Sequence, residues 1–456
     1  MLNIPAQAQV TVSPAQTTPA QAADAPASRK TLNAIRRAAR PIRGVPGDYD
    51  ALLEKIGDAR LVLMGEDTHG SLEHYRERVR ITQRLIEEKG FNGLVIESDW
   101  AASERVDRYV RGLPGDDSAD KALAGHTRFP VWMWRNAPFR DLVEWLRHYA
   151  QTPSGRTRSI GVYGMDTQGL EPSARVVLET LARIDPATES RVREDYACLE
   201  SYGYASDRYS AALKYSGAGS CEAGAASALA GLQERYASLA IGASSPAFQD
   251  EALWFSILQN AHLVHTAEAY ARALAADSLA WNVRDSHMAD AVDAVLARLQ
   301  KMDGRPGRLV VWAHNTHIGD ARAMDRGTRS GYWSVGQLLR ERHPGETVLV
   351  GFTTRAGTVR AAPEWGKPDR VFNIRRPAWE SAPAIFGRTH IPRFMLIFSD
   401  AETQLGALDN DVPMRAIGAV YSPKFERRDH YYRGALTRQF DAVIHTDITQ
   451  AVPKLP

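Results

Sequence analysis

Only two cysteines, Cys198 and Cys221, occur in 456 residues, and neither belongs to a CxxC pair. A framework of several disulfides and a structural zinc finger are both excluded on that count. No run approaches eighteen consecutive apolar residues, so no helix is expected to span a bilayer. Neither sign of charge predominates: 56 Lys and Arg stand against 54 Asp and Glu, a net charge of +2. That balance removes the main electrostatic reason to expect a nucleic-acid partner. Several catalytic devices are missing as well. There is no GxSxG elbow, no GxxxxGK[ST] loop, no GxGxxG opening a helix and no HExxH helix. If the chain is an enzyme, water and not a side chain is the expected nucleophile. Composition is otherwise ordinary, with 24% charged and 44% hydrophobic residues, and points to a soluble globular chain of one large domain or two to three coupled ones.

Residues 1–30 are rich in Ala, Gln, Pro and Thr and poor in large apolar groups. Such a segment cannot bury enough surface to offset its ordering entropy, so a disordered leader is expected, with no secretory pattern in it. The cluster Arg36, Arg37, Arg40 and Arg43 reads as the exposed side of a short helix. From Leu61 the pattern changes to short β-branched and apolar runs that end on polar residues. RLVLMGE reaches Glu66, GLVIESD passes Glu97 and SIGVYGMD reaches Asp166. Later come RLVVWAH at His314, TVLVGFTT near Thr354, FMLIFSD at Asp400, AIGAVYS near Tyr421 and AVIHTD at His445 and Asp447. Continuous apolar strands alternating with helical patterns predict an α/β fold, a mainly parallel sheet covered by helices on both faces. Helical spacing marks SLEHYRERVRITQRLIEEKG (71–90), with Gly90 placed after the C-cap, and also 139–150. No strand pattern occurs between about 170 and 300, where Ala-rich helical patterns end in a long helix over 281–302. The expected organisation is a core in two parts, 31–170 and 303–456, interrupted by a large helical insertion, 171–302, that forms one side of the active-site cleft.

In parallel sheets ligands bind beyond the carboxyl ends of the strands, and those ends carry GEDTHG (65–70), IESDW (96–100) and WAHNTH (312–317). Should these strands adjoin, Glu66, Glu97, His69, His314 and His317 converge. The helix following His69 disfavours an imidazolium there and keeps the ring able to accept a proton. A neighbouring carboxylate would hold its tautomer, and Arg78, about two turns into that helix, would bind an anionic oxygen. Each residue alone has a plainer reading: a hydrogen-bonded structural histidine, a glutamate paired with arginine. Several ionisable groups at separate strand ends, however, are costly to desolvate unless a site uses them. The same donors would suit zinc or manganese as well as a metal-free acid/base array. Trp132, Trp134 and Arg135 form either an aromatic wall for a substrate or, as the better reading, core packing. Arg284 and His287 share one helix face, poised for a cleft or for ion pairs with Asp285 or Asp290. His262 and His265 sit in the insertion.

At these residues the sequence resembles the erythromycin esterase family. The resemblance runs from about Arg43 to the C-terminus and is carried by GEDTHGSLEHYRER, GFNGLVIESDWAASERVDRYVRG, TRFPVWMWRN, WNVRDSHMAD, VVWAHNTHIGDAR, VGQLLRER, VLVGFTTRAGTV and RQFDAVIHTD. It implies an α/β core with a helical insertion and a carboxylic ester hydrolase that opens the lactone of macrolide antibiotics, conferring resistance. His69 matches the family's general base, Glu66 and Glu97 the carboxylates that orient base and water, His314 and His317 two further pocket histidines, and Arg78 a pocket arginine. His126, where an aromatic or aliphatic residue is expected, departs from the pattern and would add a polar group to the substrate site. The alternatives are a metal-dependent esterase or lactonase with another substrate, or a haem- or ligand-binding protein of related fold. The expected partner is a small-molecule lactone or ester, with neither nucleic acid nor membrane, and the expected location is the cytoplasm.

Overall fold

Apolar runs with no polar alternation must be buried on both faces, and the strands obey that requirement. A computed structural model describes residues 29–240, 248–398, 405, 408 and 410–455. Its strands are β1 (Arg40–Pro41), β2 (Leu61–Met64), β3 (Gly93–Asp99), β4 (Gly161–Asp166), β5 (Leu309–Trp312), β6 (Thr347–Ala361), β7 (Arg370–Asn373), β8 (Arg393–Ile397), β9 (Val412–Arg415), β10 (Tyr431–Gly434) and β11 (Ala442–Thr449). Every residue of β2, β3, β4 and β5 is buried. The fold is α/β around a mostly parallel sheet. The expected leader, except for its last two residues, and the strand end at Asp400 lie outside the described residues. No helix among the described residues is long and apolar enough to cross a membrane.

The chain divides into two compact units. The first comprises Met1–Leu94, Tyr109–Gly161 and Leu296–Pro456. Within it the strand order is β1-β8-β11-β6-β2-β5. β2 pairs in parallel with β5 and β6, β11 pairs in parallel with β6, and β8 runs antiparallel to β11 and β1. The second unit comprises Val95–Arg108 and Val162–Val295 and holds the ends of the neighbouring strands β3 and β4. It is otherwise helical, as expected for 170–300, with Leu170–Ile184, Pro186–Ser201, Ser206–Ser216, Glu222–Ala240 and Phe248–Ala275. The closing helix spans Ala280–Asp303 against an expected 281–302.

Three differences from the sequence reading have physical causes. AIGAVYS is not a strand: Ile417 and Val420 make single bridges, to Thr68 and to Ala362, while the true strand β9 precedes it. β6 runs seven residues past Thr354, because its far half pairs antiparallel with β7 over a buried cluster of Val359, Ala361, Phe372, Ile374, Ile417 and Tyr421. The two cysteines, too few for a framework, bond to each other: Cys198 lies on the helix Pro186–Ser201 and Cys221 directly precedes the helix Glu222–Ala240, with Cα atoms 5.5 Å apart.

Candidate active site

β2 leads straight into the turn Gly65–Ser71, and the backbone of that turn is held on several sides. The amide of Gly65 donates to Val350 of β6, the amide of Asn315 donates to the Glu66 carbonyl, and Ile417 exchanges hydrogen bonds with Asp67 and His69. A Cβ at Gly65 would stand 2.0 Å from the Asn315 side-chain oxygen, and one at Gly70 would stand 1.9 Å from the Arg360 carbonyl. Only glycine permits these approaches. The helix Leu72–Lys89 then starts at Ser71 and closes on Gly90 in the left-handed conformation, at φ 67°.

This frame fixes the side chains. His69 Nδ1 lies 2.7 Å from Glu66 Oε1, and Arg78 Nη2 donates to Glu66 Oε2 at 2.6 Å. A carboxylate only accepts, so His69 carries its proton on Nδ1 and presents the Nε2 lone pair as its basic position. Arg78 has no exposed surface, and its guanidinium lies 4.6 Å from the ring centroids of both Tyr75 and Trp312. Stacked there, it holds Glu66 from behind, a different place from the expected contact with an anionic substrate oxygen. The His314 ring stands edge-on to His69 with centroids 5.0 Å apart. The Thr316 amide donates to His314 Nδ1 at 3.2 Å, so His314 carries its proton on the opposite nitrogen, Nε2. His317, on the helix Asn315–Ile318, is also buried and bonds through its amide to the His314 carbonyl. Glu66, His69, Arg78 and His314 are thus brought together as expected, with His317 one turn on.

Glu97 belongs to the second unit, two residues before the end of β3, and Asp166 closes β4. Arg284 bridges them: Nε donates to Asp166 Oδ1 at 2.8 Å, and Nη2 donates to Asp166 Oδ2 at 2.9 Å and to Glu97 Oε1 at 2.8 Å. Asp166 is a site residue that the sequence reading passed over. Its signal, a carboxylate closing an apolar strand, was the same as that of Glu97. His287, next to Arg284 on the helix face, packs in the same unit against His262, with ring centroids 5.0 Å apart, and lies 3.2 Å from the Thr266 hydroxyl through Nδ1. Burial pushes its pKa down to about 3 and keeps the ring neutral.

The aromatic candidates fall to the core, the better of their two readings. Trp132 and Trp134 are buried, and Trp134 meets Phe139 edge-on at 5.1 Å. Arg135 is half-buried and its carbonyl accepts the Leu455 amide. His126 is buried in the first unit.

Zinc or manganese, left open by the donor types beside a metal-free array, would have to compete for donors that are already engaged. Both oxygens of Glu66 are occupied by nitrogen donors, and Glu97 Oε1 is bound to Arg284. Among the described residues no group of three or more His, Cys, Asp or Glu side chains is placed to hold a metal ion.

With this geometry established, the comparisons with known proteins can be set beside it. Residues 86–449 match the family model described as erythromycin esterase. The chain belongs to the erythromycin esterase family. That match begins after Glu66, His69 and Arg78, so their part in the site rests on the geometry above. Erythromycin esterase type II of Escherichia coli is 25% identical over 115 residues, which cover 25% of this chain and 26% of that relative's length. A solved protein from Bacillus cereus is 20% identical with a TM-score of 0.75 over 94% of this chain and 99% of its own. A solved succinoglycan biosynthesis protein is 22% identical, TM-score 0.71, over 93% and 98%. An erythromycin esterase variant in its open conformation is 19% identical, TM-score 0.61, over 93% and 97%. At these identities the solved structures establish the shared fold.

Proposed function

We propose that the chain is a carboxylic ester hydrolase in which His69 is the general base. The observation that carries this reading is the Glu66–His69 hydrogen bond of 2.7 Å, itself backed by Arg78. His69 Nε2 takes a proton from water as the water oxygen bonds to the ester carbonyl carbon. Glu66 stabilises the imidazolium so formed, and Arg78 keeps Glu66 aimed. His314, with its proton on Nε2, supplies a donor for the oxygen that turns negative. As the tetrahedral species collapses, the acyl C–O bond breaks and the His69 proton passes to the leaving alkoxide. One water is consumed and a hydroxy acid results. The reading assigns this chemistry to the protein's own side chains and calls on no metal. It gives Arg284 and Asp166 the task of holding Glu97.

For the substrate we propose a macrocyclic lactone of the macrolide class, with antibiotic resistance as the outcome; the family and the name of the Escherichia coli relative support it. The sequence pointed to a cytoplasmic enzyme. The Cys198–Cys221 bond weighs the other way, since such bonds persist mainly in oxidising compartments.

The test is mass spectrometry of a macrolide panel and simple esters incubated with the protein, with and without a chelator, alongside His69→Ala. The expected result is a gain of one water on a macrolide, indifferent to chelation and lost in the variant. Conversion of simple esters only would reject the macrolide assignment, and turnover by His69→Ala near the wild-type rate would remove His69 from its role.

A further inference from the structure

Asp67 lies between Glu66 and His69 in the turn, yet the hydrolysis above gives it nothing to do. Its side chain is buried, 1% exposed. Oδ2 accepts the Thr354 amide of β6 at 2.7 Å, and the Asp67 carbonyl accepts the Ile417 amide at 2.8 Å. Oδ1 has no hydrogen bond and faces Nε2 of His74 at 3.5 Å, on the following helix. Neither ring nitrogen of His74 makes a hydrogen bond of normal geometry, and the ring is equally buried.

An ionised carboxylate in such a place needs a cation, and the guanidinium that acts on it, that of Arg415, is engaged elsewhere. Arg415 donates to Glu426 and to the carbonyls of Thr354, Arg355 and Arg375. A single amide donor does not offset the cost of burying a carboxylate, so the neutral acid is the cheaper state. Burial pushes Asp67 up to about 8 and His74 down to about 4. Both shifts favour an uncharged pair with one proton between Oδ1 and Nε2. Every element around Asp67 presents a group to it: Glu66 from the turn, His74 from the helix, the Thr354 amide from β6, Arg415 from β9 and Tyr432 from β10. Arg78 and His445 of β11 act on His74. Glu66 opposes ionisation of Asp67, and Arg415 favours it.

We propose that Asp67 is a positioning residue that ties the Glu66–His69 turn to β6 as an uncharged acid, its carboxyl proton directed at His74. This rests on His69 being the general base. An uncharged acid has an isosteric replacement: asparagine keeps an acceptor for the Thr354 amide and offers its NH2 to His74. Alanine keeps neither, and the turn is left tied through backbone bonds alone.

The experiment measures kcat, KM and Tm against pH for the wild type, Asp67→Asn and Asp67→Ala on whichever ester or macrolide the wild type hydrolyses. Asp67→Asn is expected to hold kcat at pH 7 within about 3-fold, while Asp67→Ala loses about 10-fold or more in kcat with KM within about 2-fold, as a displaced base requires. A raised pKa means the folded protein keeps a proton that the unfolded chain releases above about 3.8. The Asp67 contribution to wild-type stability therefore declines as pH rises toward about 8, and the Tm advantage of Asp67→Asn should widen over that interval. Its kcat should also lack the wild-type fall near pH 8. Asn as damaging as Ala at pH 7, an alkaline limb unchanged in Asp67→Asn, or wild-type kcat in Asp67→Ala would each overturn the proposal. Activity retained by His69→Ala would sink the general-base reading instead. The Tm arm then still decides the charge state of Asp67, and an advantage of Asp67→Asn that does not widen with pH rejects it.

Discussion

Glu66 divides its carboxylate between two cations-in-waiting: Oε1 takes the Nδ1 proton of His69 and Oε2 takes Nη2 of the buried Arg78. Glu66→Gln should therefore fail twice. Its one acceptor oxygen can serve only one partner, and an amide NH2 facing His69 forces the proton to Nε2, where the base is needed. We expect kcat to fall by about 10²-fold or more with KM little changed, as steady-state kinetics at pH 7 would show. Arg78 would also lose the carboxylate that offsets its charge. A stability loss of about 3 kcal/mol in denaturant unfolding is expected from that. An unchanged kcat would dissociate Glu66 from the base.

Arg284 keeps two strand-end carboxylates apart electrostatically, since Glu97 Oε1 and Asp166 Oδ2 both bind the same Nη2. Arg284→Met should cost about 3–5 kcal/mol, because both charges stay buried without a cation. Deprived of it, the folded carboxyl groups hold a proton more tightly than the unfolded chain does. Stability of the variant should then fall as pH rises through the carboxylate range. Adding Asp166→Asn to Arg284→Met should recover part of the loss. A double variant no more stable than the single one would refute the pairing.

Legibility in the sequence followed the kind of interaction. β2 to β5, the helix closed by Gly90 and the long helical region were readable because periodicity and glycine conformation are local properties. The Glu66–His69 contact was readable for the same reason, as two residues three apart in one turn. Arg284 with Asp166 was not, because 118 residues separate them and only tertiary packing joins them. Arg78 was read as binding an anionic oxygen, since spacing along a helix does not reveal that Tyr75 and Trp312 enclose it. Segment 416–422 looked like a strand because its composition is apolar; in the fold its residues bridge singly to two different partners.

Histidines buried as neutral rings should make the protein acid-labile. Desolvation lowers His287 to about 3 and His74 to about 4. The unfolded chain gains protons near pH 6.5 that the folded one refuses, so the stability from these rings is present above that pH and lost as pH falls below it. Each contributes a slope of about 1.4 kcal/mol per pH unit below pH 6. Denaturant unfolding between pH 7 and pH 5 would measure it, and His287→Gln should remove one proton's share of the slope. An unaltered slope in that variant would show that His287 is protonated in the folded state.

The Cys198–Cys221 bond ties the helix Pro186–Ser201 to the start of Glu222–Ala240 across a sequence separation of 23. A closed loop of that size restricts the unfolded chain by about 3 kcal/mol in the chain-entropy account. Cys221 is buried, and its amide donates to the Tyr209 hydroxyl, which in turn donates to the buried Glu268. Reduction should therefore lower Tm by several degrees while leaving kcat close to its oxidised value, because the bond lies in the second unit and the His69–Glu66 pair in the first. Thiol titration of the denatured protein before and after reduction, paired with thermal melts, measures both. Two free thiols in protein purified without reductant, or identical melts in the two states, would refute the structural role of the bond. Cys198→Ser with Cys221→Ser should reproduce the reduced melt, which separates loss of the bond from side effects of the reductant.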